Sequence, residues 1–199
     1  MCAGEKHPYD PANTELATKF TVGDYEKARD SKDRDKIAKG IQRRFDERYL
    51  TPISGKNTHG FTIMAVSCLM IEALESLREG RETTEGKSLE AFRSFFDHAD
   101  QFSTLRGHAQ GFYKHVRCAI LHQAETTGGW RIRRDDSPLF DSENLTVNAR
   151  RFVVALRRYL TGFCNELRSV PWDDLLWKRV RRKMDAIAWN CRKATRKTN

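Results

Sequence analysis

One pair of residues in this chain has the chemistry needed to move protons and to hold phosphate. Arg117 and His122 enclose four residues in the segment Arg-Cys-Ala-Ile-Leu-His. An imidazole that titrates near neutral pH serves as a general acid or base. A guanidinium binds two phosphoryl oxygens at once and stabilises the charge that develops on them. Because RNA carries its own nucleophile, the 2′-hydroxyl, these side chains are suited to RNA cleavage, with a 2′,3′-cyclic phosphate and a 5′-hydroxyl as products.

The spacing of this pair has low specificity by itself. With 23 arginines and 6 histidines among 199 residues, chance supplies roughly two Arg–His pairs with four to six residues between them. Arg93 and His98 form a second pair, and the phenylalanines between them indicate a packed helix face. Five residues of an ideal α-helix turn by about 500°, or about 140° net. Arg117 and His122 therefore need a helix distortion or a second copy of the chain to share a site.

Apolar residues at helical spacing predict the elements that position the pair. Ile37, Ile41 and Phe45 recur every four residues and predict a helix that stops before Pro52. The same period predicts further helices over about 61–77, 88–102, 103–125, 148–167 and 172–195. The glutamates at positions 72, 75 and 79 are predicted to lie on a solvated face of the second helix. Asn148 is predicted to cap the fifth helix.

Two extended segments follow the helix that carries Arg117. The residues Thr-Thr-Gly-Gly at 126–129 end that helix. Segments 130–134 and 139–147 then predict a short β-hairpin or an extended excursion, with Trp130 as its hydrophobic plug. The sequence predicts an all-α fold, an antiparallel bundle of about six helices with this small β excursion. Residues 1–30 are predicted to be an irregular lead-in, and residues 31–199 a single helical domain.

Composition predicts a soluble, cytoplasmic protein. The chain is 39% hydrophobic and 32% charged, and its longest uncharged stretch, 57–71, has 15 residues. A membrane span needs about 20 apolar residues, and the first residues lack the apolar core of a signal peptide. The five cysteines are widely separated, which predicts reduced thiols rather than a disulfide framework or a metal ribbon.

The positive charge is concentrated at the C-terminal end. Residues 177–199 hold nine basic side chains and one acidic one, whereas the rest of the chain has 27 basic and 26 acidic residues. A cluster of cations is what RNA, DNA or an anionic membrane would select. A solvated helix face is the alternative interpretation. The residues predicted to form an RNA-binding patch are Lys178, Arg179, Arg181, Arg182 and Lys183.

Several common catalytic motifs are absent from the sequence. It contains no H-E-x-x-H, no G-x-S-x-G and no P-loop, because Gly55-Lys56 lacks the upstream glycine and the following Ser or Thr. We therefore predict neither a metal site nor a cofactor.

The residues around Arg117 resemble a known family. Positions 112–125 read Phe-Tyr-Lys-His-Val-Arg-Cys-Ala-Ile-Leu-His-Gln-Ala-Glu, followed by Thr-Thr-Gly-Gly-Trp. This is similar to the HEPN superfamily (higher eukaryotes and prokaryotes nucleotide-binding domain), whose members carry Arg, four to six residues and His near the end of a helix. The resemblance implies a mostly antiparallel helical bundle. It also implies a metal-independent ribonuclease of toxin–antitoxin or defence systems, a homodimer with both motifs in one composite cleft.

The resemblance implies that Arg117 and His122 are the catalytic residues. Three neighbours are candidates for supporting roles, each with a structural alternative. His115 would contact substrate or lie on an exposed face. Glu125 would orient the imidazole of His122 or lie in solvent, and Glu72 would reach the helix of the pair and tune His122 or lie on the surface.

Two positions differ from the family pattern, and the alternatives stay open. Cys118 follows the arginine, where nuclease members often have Asn, Asp or His. Ala124 stands where one branch carries the tyrosine that accepts AMP. The leading hypothesis is an RNA-cleaving toxin or defence effector with an antitoxin or nucleotidyltransferase partner. The alternative is a non-catalytic HEPN module that binds nucleotide or RNA or mediates dimerisation. A DNA-binding regulator is a third hypothesis, without a compact helix-turn-helix pattern.

Overall fold

The computed structural model of the protein describes residues 10–83 and 85–193, and it is mainly α-helical, as the sequence predicts. The beginning of the predicted lead-in, 1–9, and the end of the basic segment, 194–199, lie outside the described residues. The four described cysteines are free thiols.

The predicted irregular lead-in is wrong for residues 15–30. Strands β1 (Glu15–Ala17) and β2 (Phe20–Thr21) pair as an antiparallel hairpin, and helix α1 (Val22–Asp30) follows at once. The Thr21 side chain accepts the Asp24 N–H, and the Asp24 carboxylate accepts the Thr21 N–H, which forms a capping box. The side chains of Leu16, Phe20, Val22 and Tyr25 belong to the core. Strands β1 and β2 and helix α1 are too short to show a clear period of apolar residues in the sequence. Their packing nevertheless makes them part of the domain.

The first predicted helix continues past Pro52, contrary to the prediction. Helix α2 (Arg34–Phe45) leads into a π-helical turn (Asp46–Leu50) and the short helix α3 (Thr51–Ile53). The Thr51 N–H donates to the carbonyl of Asp46, five residues earlier, which widens the turn. Pro52 then occupies the first turn of α3, where the N–H that proline lacks has no partner in the helix.

Helix α4 (Gly60–Glu79) packs against three other helices: α5 (Ser88–His98), α8 (Ala149–Ser169) and α9 (Leu175–Lys193). It is the one helix of the described residues with the length and apolar composition of a membrane span, and 67% of its most apolar window is buried inside the protein, as in the core helix of a soluble protein. The predicted solvated face of this helix is wrong for two residues. Glu72 is 9% exposed and Glu75 only 1%, because neighbouring helices cover this side of α4 as well.

The helix that carries Arg117 begins at Ala109 rather than near residue 103, after a 3₁₀ segment (Asp100–Leu105). It consists of α6 (Ala109–Phe112), a π-helical turn (Tyr113–Cys118) and α7 (Ala119–Gln123), which follow one another without interruption. We call Ala109–Gln123 the motif helix. It ends at Ala124, whose φ of 55° is left-handed.

The predicted β excursion is a small sheet of three strands. Strands β3 (Arg131–Arg133), β4 (Phe140–Asp141) and β5 (Thr146–Asn148) have the order β3-β5-β4. Strand β5 pairs antiparallel with β4 but parallel with β3, so the two predicted extended segments do not form one simple hairpin. Trp130 is 5% exposed and packs on Phe140 and Phe112, which agrees with the predicted hydrophobic plug.

Two long helices complete the core. Asn148 caps α8 (Ala149–Ser169) as predicted, because its side-chain oxygen accepts the Arg151 N–H at 3.1 Å. Helix α9 (Leu175–Lys193) begins three residues later than predicted. The Trp177 indole of α9 donates to the carbonyl of Leu167 at 2.8 Å, which fastens the two helices. Helix α4 contacts both of them, so the motif helix is held against a well-packed scaffold.

Candidate functional site

The motif helix is distorted where it carries the arginine. Its π-helical turn, Tyr113–Cys118, includes Arg117, whereas His122 follows in the regular helix α7. Single π-helical turns inside α-helices occur frequently at functional sites. For Arg117 and His122 to share a site, the sequence requires either a helix distortion or a second copy of the chain. The helix is distorted at Arg117, but the distortion ends before His122.

Arg117 is held in one orientation by α4. Its Nε donates to Glu72 Oε1 at 2.9 Å, and the two side chains are 20% and 11% exposed. Glu72 Oε2 accepts a second hydrogen bond, from Ser88 Oγ at 2.7 Å. The guanidinium carbon lies 5.6 Å from the centroid of the Tyr113 ring, within the range of a cation–π contact. Arg117 is therefore oriented by the carboxylate of Glu72, which Ser88 supports, and by the ring of Tyr113 on its own helix.

The same contacts keep Arg117 charged. Burial acts to lower the pKa of its guanidinium, but the hydrogen bond and the charge of Glu72 act in the opposite direction, and the net pKa is raised. The ion pair uses Nε, so the terminal nitrogens Nη1 and Nη2 lie outside it. The Arg117 side chain is 20% exposed, and its two terminal nitrogens do not take part in the ion pair. It therefore retains the geometry for binding a phosphate.

His122 lies apart from this ion pair. It is exposed on α7, in the last turn of the motif helix. No hydrogen bond between described residues joins it to Arg117, Glu72 or Glu125. The prediction that Glu72 reaches the motif helix is confirmed, but its partner there is the arginine and not the histidine. Within one chain, therefore, no hydrogen bond links the cation to the imidazole.

The other two predicted supporting residues contact the turn after the helix. The Glu125 carboxylate accepts the Thr126 N–H at 2.8 Å, so the structure does not bear out an orienting contact with His122. His115 is half-buried, and its Nδ1 lies 2.9 Å from Thr127 Oγ1. Gly128 lies so close to the same ring that a Cβ atom at this position would be 2.5 Å from Nδ1. His115 thus fastens the turn that ends the motif helix, rather than lying on an exposed face.

The second Arg–His pair belongs to a different environment. Arg93 is exposed and donates to Gln110 at 2.8 Å. His98 lies between two polar groups, with Nδ1 2.6 Å from the Ser94 carbonyl and Nε2 2.8 Å from the Tyr159 hydroxyl. Its Nε2 is also 3.3 Å from Glu75 Oε1. Sequence reasoning placed Glu75 on a solvated face and so missed this buried carboxylate, and its only signal was the mostly apolar sequence of α4 around it.

The predicted basic patch of α9 is divided among several environments. Arg179 pairs with Glu79 at 3.5 Å, and Lys183 donates to the Glu82 carbonyl at 2.8 Å. These two residues are half-buried, and their partners lie at the end of α4 and just after it.

A smaller group of cations remains together. Lys178, Arg181 and Arg182 line one shallow groove of α9. The Arg181 guanidinium lies over the Trp172 ring at 4.3 Å, and Trp189 on the groove is 51% exposed. Cations beside an exposed aromatic ring suit a single-stranded nucleic acid. Asp185 and Glu82 also line this groove and reduce its net charge.

Leu121, the residue before His122 on α7, is apolar and 63% exposed. Among residues 10–83 and 85–193, no group of three or more His, Cys, Asp or Glu side chains is placed to hold a metal ion.

We compared the chain with protein-family models, curated proteins and solved structures, and none of them matched. The function of the site is therefore argued from its own geometry.

Proposed function

We propose that this protein is a metal-independent endoribonuclease of the HEPN type, an antiparallel helical bundle that acts as a toxin or defence effector in the cytoplasm. The observation that carries the proposal is the state of Arg117, held by Glu72 through Nε with its terminal nitrogens outside the ion pair, five positions before an exposed His122. In this arrangement Arg117 binds the scissile phosphate. His122 takes the proton of the 2′-hydroxyl or gives one to the leaving 5′-oxygen.

The active form in this proposal is a homodimer with a composite cleft. Arg117 and His122 of one chain share no hydrogen bond, and in the proposed dimer Arg117 of one protomer acts with His122 of the partner subunit. The exposed Leu121 supports this arrangement, because it provides apolar surface beside the histidine that a two-fold contact would bury.

The groove lined by Lys178, Arg181 and Arg182 would hold RNA outside the reacting bond. A protein that cuts cellular RNA requires control, so we propose an antitoxin or a nucleotidyltransferase as its partner. Charge reversal of Arg181 and Arg182 should weaken RNA binding and flatten its dependence on salt. Unchanged affinity and salt dependence would identify the groove as a solvated surface.

Cleavage of RNA in the presence of EDTA tests the reaction. The wild type should cut total RNA to fragments with 5′-hydroxyl ends, which polynucleotide kinase labels directly. His122→Ala and Arg117→Ala should each lose at least about 100-fold in rate, in line with the usual effects of removing an acid–base group or a charge-stabilising donor. Arg93→Ala, from the second Arg–His pair, is the matched control and should cleave normally.

Mixing the two inactive variants tests the composite cleft. If arginine and histidine come from different subunits, a heterodimer of Arg117→Ala and His122→Ala has one intact site and one doubly altered site. An equimolar mixture after subunit exchange should then recover about a quarter of the wild-type sites. A dimer that recovers no activity would place both residues of each site in one chain, and a monomer at micromolar concentration would remove the composite cleft.

A second function has its own supporting observation. Arg117 already has an anionic partner in Glu72, and Cys118 beside it is not a strong hydrogen-bonding residue. These features favour a HEPN module without catalysis, which binds nucleotide or RNA or mediates dimerisation. Wild-type protein that binds RNA and never cuts it would establish this alternative.

A further inference from the structure

A cavity of about 450 Å³ lies between α2, α4 and α9, away from the exposed His122. This volume is within the range of small-molecule binding sites. Most of its surface is apolar, and the apolar side chains are Ile41, Phe45, Leu69, Leu77, Met184 and Ile187. The Tyr49 ring stacks on Phe45 with 5.5 Å between the centroids, so one wall is a flat aromatic surface.

Two cations line this apolar cavity. Arg44 donates to the Leu16 carbonyl at 2.7 Å, and Lys183 donates to the Glu82 carbonyl at 2.8 Å. No carboxylate of the part of the chain that the structure describes forms an ion pair with either of them.

The surroundings of these cations disfavour their charge. Burial lowers the pKa of the Arg44 guanidinium, and the charge of Arg48 lowers it further. Burial also lowers the pKa of Lys183; the nearby Glu82 raises it, and Arg44 lowers it. The two cavity cations therefore act on one another without a neutralising ion pair. Partly desolvated like charges are costly, and an anion placed between them would offset that cost.

We propose that this cavity binds a small amphipathic anion, with an aromatic or aliphatic body and one phosphate, sulfonate or carboxylate group. The anionic group would lie between Arg44 and Lys183, and the body would lie on the apolar wall and the Phe45–Tyr49 rings. Glu72 is part of the lining, so the ligand must keep its charge at the end of the cavity that holds the cations. The proposal does not depend on RNA cleavage.

The probe for this site is 8-anilinonaphthalene-1-sulfonate, an aromatic anion whose fluorescence rises in apolar surroundings. The full-length wild type should bind one equivalent at a saturable site, with affinity that falls as salt concentration rises. The double variant Arg44→Gln, Lys183→Gln should bind at least about tenfold more weakly, because each cation loses a charge-assisted contact. Lys39→Gln removes an exposed cation of α2 outside the cavity and should bind as the wild type does.

A second variant separates loss of binding from loss of folding. Ala73→Phe fills the cavity while both cations remain, and it should also abolish binding with an unchanged circular dichroism spectrum. If the double variant fails to fold, the single variant Lys183→Gln replaces it in this test. Equal dye binding by wild type, Lys183→Gln and Ala73→Phe would overturn the proposal.

Competition identifies the source of the anion. Adenosine monophosphate, decanoate and inorganic phosphate are each added to the dye complex. Displacement by the nucleotide alone assigns a phosphorylated aromatic body, and displacement by decanoate alone assigns an aliphatic acid. Displacement by inorganic phosphate as strongly as by either organic anion would contradict a role for the apolar wall. No displacement by any of them at millimolar concentration would count against an anion site.

Discussion

Replacing the buried Glu75 by glutamine should stabilise the protein at pH 8. Burial raises the pKa of its carboxyl group to about 7, from an ordinary value of 4.5. Both carboxylate oxygens are enclosed, and neither has a hydrogen bond of good geometry among the described residues. Ionisation at this position therefore places a poorly compensated negative charge inside the core, and glutamine removes that charge while retaining the shape of the side chain.

The neighbouring histidine explains why the carboxyl group keeps its proton. His98 Nδ1 faces the Ser94 carbonyl at 2.6 Å, and a carbonyl accepts, so Nδ1 must donate. In the neutral ring Nε2 then carries a lone pair, and the Tyr159 hydroxyl donates to it. Glu75 Oε1 lies 3.3 Å from the same nitrogen. Both ring nitrogens are therefore engaged elsewhere, and the neutral ring offers a Glu75 carboxylate no N–H donor.

The size of the effect follows from the two pKa values. A rise from 4.5 to about 7 corresponds to about 3 kcal/mol of unfolding free energy that the wild type loses on ionisation. The folded state holds a proton that the unfolded state releases, so this contribution is present at low pH and is lost as pH rises through about 7. The stability advantage of Glu75→Gln should grow by about 2.5 kcal/mol between pH 5 and pH 8. At pH 8 its melting temperature should exceed that of the wild type by about 6–12 °C.

Urea unfolding at a series of pH values measures this difference. Burial lowers the pKa of His98, so that residue lowers stability as pH falls and partly masks the slope of the wild type. Subtracting the wild-type curve from the variant curve removes this common term, and Glu143→Gln in an exposed turn is the matched control. An advantage of Glu75→Gln that is the same at pH 5 and pH 8 would refute the assignment of a buried, neutral carboxyl group.

Three further changes test the scaffold by chemical denaturation. Gly128→Ala should cost more than Gly86→Ala, since both glycines have positive φ but only Gly128 lies against the His115 ring; equal losses would contradict the close contact. Asn148→Ala should destabilise the protein by about 2 kcal/mol, because it removes a helix cap and leaves the Asp135 and Ser137 carbonyls without this donor, and an effect below about 0.5 kcal/mol would argue against both roles. Deletion of residues 1–30 should abolish cooperative unfolding, because it removes the fully buried Tyr25; a shortened protein that stays folded would restore the lead-in interpretation.

Local patterns in the sequence were sufficient for features that depend on neighbours along the chain. The apolar period of 148–167 identified a helix whose inner residues are all buried, and Asn148 was identified as its cap. The end of the motif helix before the two glycines was also predictable, since a left-handed residue and glycines stop a helix wherever it packs.

The candidate site could be predicted only in part. The sequence placed Arg117 and His122 on one helix and stated that a regular helix would separate them. It could not identify Glu72 as the partner of Arg117, because the two residues are 45 positions apart and meet only through the packing of the motif helix on α4. It also could not anticipate the π-helical turn, for which no local residue pattern is specific.

Sequence by itself determined the helices and the side of each helix that carries most of its apolar residues, because a period of 3.6 residues is a property of the chain. Tertiary structure alone decided which polar residues are buried. Glu75 and Glu72 have the spacing of a solvated face, yet α4 is surrounded by other helices, so both became interior groups. The parallel pairing of β3 with β5 was likewise decided by packing, since hydrogen bonds between distant segments leave no local periodicity.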